Sequence, residues 1–267
     1  MGTAQLPRKK IILSIVAKKM RKESLQSLKI NRHIGIFTLV VLTLMINIIP
    51  VYFFNLQYMR ATRLVSTLVF LAVYFLLTKK RNTWVNFAFI FLVLRDCAHL
   101  FFEQDWGVEF YLFLSATSYT LFCVKRIPFL QFSGFNRSSL TVASLIFSGN
   151  IVILFILSGF VSEQMQGIFE LPLFYFLGAS LIMLVSSALY NNFILNSNRS
   201  LCFAIMAFCF IFADVSACLA YYSQYEELWY TDRLFYGLSL GFLLCFVTDI
   251  EGARREQEDI EILKDFI

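Results

Sequence analysis

Charge is what this chain has least of. Asp, Glu, Lys and Arg make up 15% of its residues, where a soluble domain carries about 25%. A water-facing globule is therefore excluded. Histidine occurs twice, at His33 and His99, and none of the six cysteines stands in a C-x-x-C. Together these exclude a zinc-finger type of site and a disulfide framework. Cys97, Cys123, Cys202, Cys209, Cys218 and Cys245 all fall in apolar stretches, where cysteine serves as a small packing residue. Glycine and proline are scarce, at 11 and 4, which rules out a collagen-like or Pro/Gly-rich disordered chain. No P-loop, nucleophile elbow, zincin motif or dinucleotide fingerprint is present. No metal and no cofactor are expected. The formal net charge of +5 is small and scattered, so no nucleic-acid partner is expected either.

What the chain does have is apolar length. Hydrophobic residues form 58% of it, and phenylalanine alone accounts for 31. They gather into eight segments, near residues 34–54, 62–78, 84–102, 106–124, 138–160, 171–190, 200–222 and 233–249. Each is about 17 to 23 residues, enough at ~1.5 Å per residue to cross a hydrocarbon core of ~30 Å. Lipid offers no partner to exposed backbone groups, so such segments must be helices. A membrane β-barrel needs strands of alternating polarity, and these runs are apolar on every face. The predicted fold is an all-α, polytopic membrane bundle of about eight transmembrane helices over 34–249. A basic segment, 1–33, precedes it and a charged helical segment, 250–267, follows. The basic segment reads either as a helix lying on an anionic membrane surface or as a solvated tail. The expected location is integral and multi-pass, in an inner or plasma membrane, with membrane lipid as the immediate partner.

Loop charge orients the bundle. With the N-terminus inside, all but four of the 23 basic residues fall on the inside. Arg60, Arg63 and Arg233 are left for outside loops and Arg95 for a span. Glu103, Asp105, Glu163, Glu170, Glu226 and Glu227 fall outside. Under the positive-inside rule both termini are cytoplasmic.

Charges within spans are rare because each costs several kcal/mol near the bilayer centre, and those that persist face the bundle interior. The third segment holds Arg95, Asp96 and His99; the seventh holds Asp214. Asp96 and His99 are three apart and Arg95 and His99 four apart, so each pair shares a helix face. Asp96 and Asp214 lie at similar depth. If the third and seventh spans pack, the two carboxylates face one cavity. Confined together they repel, one holding a proton while the other is ionised, an acid and a base in a single site. The plainer reading pairs Asp96 with Arg95 or His99 and leaves Asp214 capping a polar neighbour. Hydroxyls in the fourth, sixth and eighth spans, among them Ser118, Tyr119, Ser187 and Tyr236, read first as inter-helix glue.

These positions carry a resemblance. Eight spans with an aspartate in the third and another in the seventh resemble the YhhN family, the membrane lysoplasmalogenases. The family's Thr-Lys-Pro after the second span corresponds to Thr78-Lys79-Lys80, and its Gly-Asp to Arg95-Asp96. Ser118-Tyr119 with Phe122 stands in the fourth span, and Tyr175 and Met183 in the sixth. Ala213-Asp214 stands at the family's Ser-Asp, and Tyr236 in the eighth span. The proline, the glycine, a fourth-span histidine and an eighth-span glutamine of the family pattern are replaced here. The resemblance implies hydrolysis of the vinyl-ether bond of a lysoplasmalogen-like lysophospholipid. Asp96 and Asp214 would be the catalytic pair. Tyr119, Tyr175, Tyr236, His99, Arg95 and Lys79 would be the substrate-binding groups. Two other function classes fit the residues. One is a small-solute or proton transporter with an Asp96, His99 and Asp214 relay. The other is a membrane sensor acting through the C-terminal segment. Oligomeric state is not legible in the sequence.

Overall fold

The structure, a computed structural model, describes residues 32–53, 55–78, 82–124, 126, 137–165, 167–249 and 252–253. Most of the basic 1–33 segment, Lys79 and nearly all of the 250–267 segment lie outside them. The chain divides into two units, Met1–Leu39 and Val40–Ile267. In the first, the described residues are the opening turns of a helix. The second holds everything considered below.

Eight helices follow in chain order: α1 Arg32–Tyr52, α2 Leu56–Leu77, α3 Thr83–His99, α4 Asp105–Val124, α5 Arg137–Ser162, α6 Glu170–Leu195, α7 Asn198–Tyr222 and α8 Leu228–Thr248. The protein is a polytopic helical membrane bundle. Seven of the eight are long and apolar enough to cross a membrane. The exception is α3, which has 17 residues and so spans only about 25 Å. The eight helices match the expected bundle of about eight, and α3 is the one short of full span length. Its C-terminal end carries Arg95, Asp96 and His99.

Local chemistry fixes the helix starts. Asn55 and Asn82 cap α2 and α3 by accepting hydrogen bonds from backbone N–H groups of the first turn, and Ser197 with Ser200 forms a reciprocal capping box on α7. The α6–α7 reversal passes through Asn196 at φ 40°, a left-handed conformation that asparagine tolerates better than most residues.

Helix neighbours close into a ring: α2 on α3, α3 on α4, α4 on α6, α6 on α7, α7 on α8, and α8 back on α2. Helix α5 packs outside the ring, chiefly on α6. The Val40–Tyr52 part of α1 lies against α8 and α2. There Gly237 and Gly241, four apart, admit Leu44 and Val40 of α1. A Cβ on Gly241 would stand 2.4 Å from Val40 Cγ2, and one on Gly237 2.8 Å from Leu44 Cδ2. This is the small-x-x-x-small contact of membrane helices. Asn47 adds a polar tie, donating to Ser66 Oγ on α2 at 2.7 Å.

The helix bounds correct one detail of the charge count. Arg60 and Arg63 belong to α2 and Arg233 to α8, and all three side chains are buried. The expected outside loops are thereby stripped of their three cations. The charges are tolerated inside because acidic partners meet them there.

Gly241→Leu is expected to destabilise the bundle by about 1–3 kcal/mol through overpacking. Thermal unfolding of the purified protein in detergent measures it. An unchanged midpoint would show that the α1–α8 contact contributes nothing.

Candidate functional site

Inside the ring, at the end carrying the α1–α2, α3–α4 and α7–α8 connections, lies a chain of ion pairs and hydroxyls. Helical spacing assembles it. Arg60, Arg63 and Thr67 of α2 are separated by three and four residues, and Asp232 and Tyr236 of α8 by four, so each set lines one face. Asp96 is fully buried and enclosed by donors. Its Oδ1 accepts from Arg95 Nε at 3.1 Å and Nη2 at 2.9 Å, and Arg63 Nε stands 3.3 Å away. Its Oδ2 accepts from Thr67 at 2.5 Å and from the Tyr236 hydroxyl at 2.6 Å. Arg63 also donates from Nη1 to Asp232 Oδ1 at 3.2 Å, and Arg233 Nε lies 3.5 Å from Asp232 Oδ2. The Tyr236 ring lies under both inner arginines, 3.9 Å from Arg63 Cζ and 4.9 Å from Arg95 Cζ, within cation–π range.

From Arg95 the chain continues to α7. Arg95 Nη1 donates to the Tyr119 hydroxyl at 3.0 Å, which donates to Asp214 Oδ2 at 2.7 Å. The other carboxylate oxygen, Asp214 Oδ1, is buried and has no hydrogen-bond partner. Asp214 lines a cavity of about 110 Å³ bounded by α4, α5, α6 and α7. The wall is largely aliphatic and aromatic, with Leu112, Leu154, Leu181, Phe174 and Ile211 among its residues. His99 also lines it, and its Nδ1 lacks a partner too.

The two sequence-predicted aspartates therefore have different situations. They do not face one cavity. Asp96 is sealed among guanidinium and hydroxyl donors, while Asp214 borders the cavity. The reason is topological: α3 packs on α2 and α4, whereas α7 packs on α6 and α8, so Arg95 and Tyr119 stand between the carboxylates. Arg95, Tyr119 and Tyr236 join this site. His99 joins the cavity wall but forms no hydrogen bond to either aspartate; it packs against Phe102 and Tyr111 instead. Of the two expected partners for Asp96, Arg95 makes the pair and His99 does not. Tyr175 lies elsewhere: on α6 it donates to Ser158 Oγ at 3.0 Å and does not reach the network. Lys79 lies outside the described residues.

Sequence reasoning missed Arg63, Thr67, Asp232 and Arg233. Arg63, Asp232 and Arg233 sit at the polar ends of apolar segments and read as loop, while Thr67 lies within the predicted 62–78 segment and is not singled out there. Their signal is helical spacing, Arg63 four before Thr67 on α2 and Asp232 and Arg233 four and three before Tyr236 on α8, which extends each helix by one or two turns. Among the described residues no group of three or more metal-binding side chains occurs. Comparison with protein-family models, curated proteins and solved structures gives no match.

Removing one partner of a buried ion pair leaves the other uncompensated, a loss of about 3–5 kcal/mol. Arg63→Leu is expected to fall in that range, and Arg63→Leu combined with Asp232→Leu to recover part of it. Equal unfolding midpoints for the single and double variants would contradict the pairing.

Glu103, in the α3–α4 connection, is half-exposed and accepts from Arg60 at 2.5 Å. That hydrogen bond holds its carboxyl below the usual glutamate range. A lowered folded value means stability that is present at neutral pH and lost as the pH falls below about 4.3. With one partner half-exposed the contribution is at most about 1 kcal/mol. Glu103→Gln should lower stability at neutral pH by at most about 1 kcal/mol, flatten this acid limb of a stability–pH curve and leave its most acidic part nearly unchanged.

Proposed function

We propose that the chain is a membrane-embedded hydrolase acting on the vinyl-ether bond of lysoplasmalogen-like lipids, with Asp214 as its acid and base. The observation that carries this reading is the position of Asp214. One oxygen is held by Tyr119, while the other has no partner on a carboxylate that borders an apolar cavity. An apolar cavity with few polar groups is the form of a small-molecule site, and within a membrane bundle its natural occupant is a lipid chain. The resemblance to the membrane lysoplasmalogenases supports the same chemistry at this aspartate.

In this reading the Asp214 carboxyl gives its proton to the outer vinyl carbon. The double-bond electrons form the new C–H bond, leaving an oxocarbenium ion at the ether carbon. Water adds to that carbon, and its proton returns to the Asp214 carboxylate. The hemiacetal then collapses to a fatty aldehyde and a glycerophospho-base. Arg95 and Tyr119 position Asp214 through its bonded oxygen, a task that needs a donor at hydrogen-bond distance. Asp96 carries the structural part: it neutralises Arg63 and Arg95 and so holds Arg95 against Tyr119.

The roles separate by experiment. Purified protein should release aldehyde from a lysoplasmalogen. Asp214→Asn should lower the rate by about 10²–10⁴ with little change in unfolding midpoint. Tyr119→Phe should lower it less. Asp96→Asn should act mainly on the midpoint. Absence of aldehyde from any vinyl-ether lysolipid, with folded protein, defeats the proposal.

A further inference from the structure

Beside the cavity, three arginines of the ion-pair chain keep guanidinium nitrogens that have no hydrogen-bond partner and that the acid–base step does not use. Arg60, Arg63 and Arg233 are buried to within 2% of full enclosure. A guanidinium has five N–H donors, and buried donors are nearly always satisfied. Here Arg60 Nε and Nη2, Arg63 Nε and Nη2, and all three nitrogens of Arg233 have no hydrogen-bond partner. Arg60 spends one nitrogen on Glu103 and Arg63 one on Asp232, while Arg63 Nε makes an ionic approach of 3.3 Å to Asp96 Oδ1. Arg233 has only a 3.5 Å ionic approach to Asp232 among the described residues.

Two of these arginines, Arg60 and Arg233, stand against rings of the cavity wall. Arg60 Cζ lies 5.5 Å from the centre of the Phe102 ring, and Arg233 Cζ lies 5.9 Å from that of Trp229. Phe102 and Trp229 both line the cavity. Charge agrees with the geometry. Once Asp214 carries the proton that the proposed reaction requires, Arg60, Arg63, Arg95 and Arg233 face only Glu103, Asp96 and Asp232. One positive charge is in excess, held among unsatisfied donors.

We infer that Arg60, Arg63 and Arg233 form a phosphate subsite, which holds the anionic group of a lysophospholipid while its chain enters the cavity past Phe102 and Trp229. The inference rests on the hydrolase reading for the kind of substrate, and on the unpartnered guanidinium nitrogens for the site itself. Three converging guanidiniums suit a phosphate, which offers several acceptor oxygens to planar donor forks. The subsite also gives directionality. The phosphate is fixed at the end of the bundle that carries the α7–α8 connection, and the ether bond is drawn toward Asp214, two turns from the end of α7.

The test compares three probes on purified protein in detergent. They are 1-O-hexadecyl-glycerophosphocholine, whose saturated ether resists this hydrolysis, 1-O-hexadecylglycerol, which lacks the phosphate, and inorganic phosphate. The phosphate-bearing lipid should bind about ten- to a hundredfold more tightly than hexadecylglycerol. Arg233→Gln, and Arg60→Gln combined with Glu103→Gln, should each erase most of that difference while leaving hexadecylglycerol affinity unchanged. The unchanged affinity also reports a folded cavity. Inorganic phosphate that competes with the lipid in the wild type and not in the variants would support the same site. Equal affinity for the two lipids, or a difference that survives both variants, would overturn the subsite. Binding of inorganic phosphate alone, with no preference between the lipids, would overturn the lipid assignment in favour of a free anion. Aldehyde release measured alongside separates the two readings. Release without the phosphate preference removes the subsite only, and the preference without release removes only the hydrolase.

Discussion

The structure depends on Arg63 standing between Asp96 and Asp232. A lone guanidinium or carboxylate has no place in a hydrocarbon core, and the price of burying either is several kcal/mol. Arg63 of α2 meets Asp96 of α3 on one side and Asp232 of α8 on the other, so one side chain couples three helices that the ring must bring together. The aromatic face of Tyr236 covers the same guanidinium, and the Tyr236 hydroxyl donates to Asp96. Charge, ring and hydroxyl each select the same register of α2 against α8.

That constraint explains why α3 can be short. A helix of 17 residues with two adjacent charges would be a poor independent span. Here the charges are what hold it. Asp96 is tied to α2 and α8 through Arg63, Thr67 and Tyr236, and Arg95 is tied to α4 through Tyr119. Apolar packing then completes the fit, with Phe89 stacked on Tyr74 of α2. Membrane helices gain no hydrophobic drive from leaving lipid for protein, so polar ties and close packing at Gly237 and Gly241 carry correspondingly more of the specificity.

The same network divides labour between two residues of one chemical type. Asp96 is saturated with donors and has no oxygen left for a ligand. Asp214 is held from one side only, at the end of the Arg95–Tyr119 chain, and its other oxygen is unclaimed beside the cavity. A polar chain that terminates at an open carboxylate fixes that carboxylate without occupying it, which is the arrangement an acid–base group requires. Of the arginines with unfilled donors, Arg60 and Arg233 stand against Phe102 and Trp229 of the cavity wall.

The amino-acid sequence alone determined that this is an all-α membrane protein. Apolar segments of span length, set between short charged connections, allow no other fold in lipid, and each helix overlaps its predicted segment, with bounds that differ by up to six residues. It also singled out Arg95, Asp96, His99 and Asp214, because charge within an apolar run is visible without any structure. Where those residues lie relative to one another was decided only by the tertiary packing. Spacing along a helix says that Asp96 and His99 share a face, yet Arg95 claims the carboxylate and His99 turns to the cavity wall. Depth in the membrane says that Asp96 and Asp214 are level, yet Arg95 and Tyr119 of neighbouring helices separate them. Arg63, Arg60, Asp232 and Arg233 read as loop because charge at the end of an apolar run looks like its boundary. Only partners supplied by other helices show that the run continues through them.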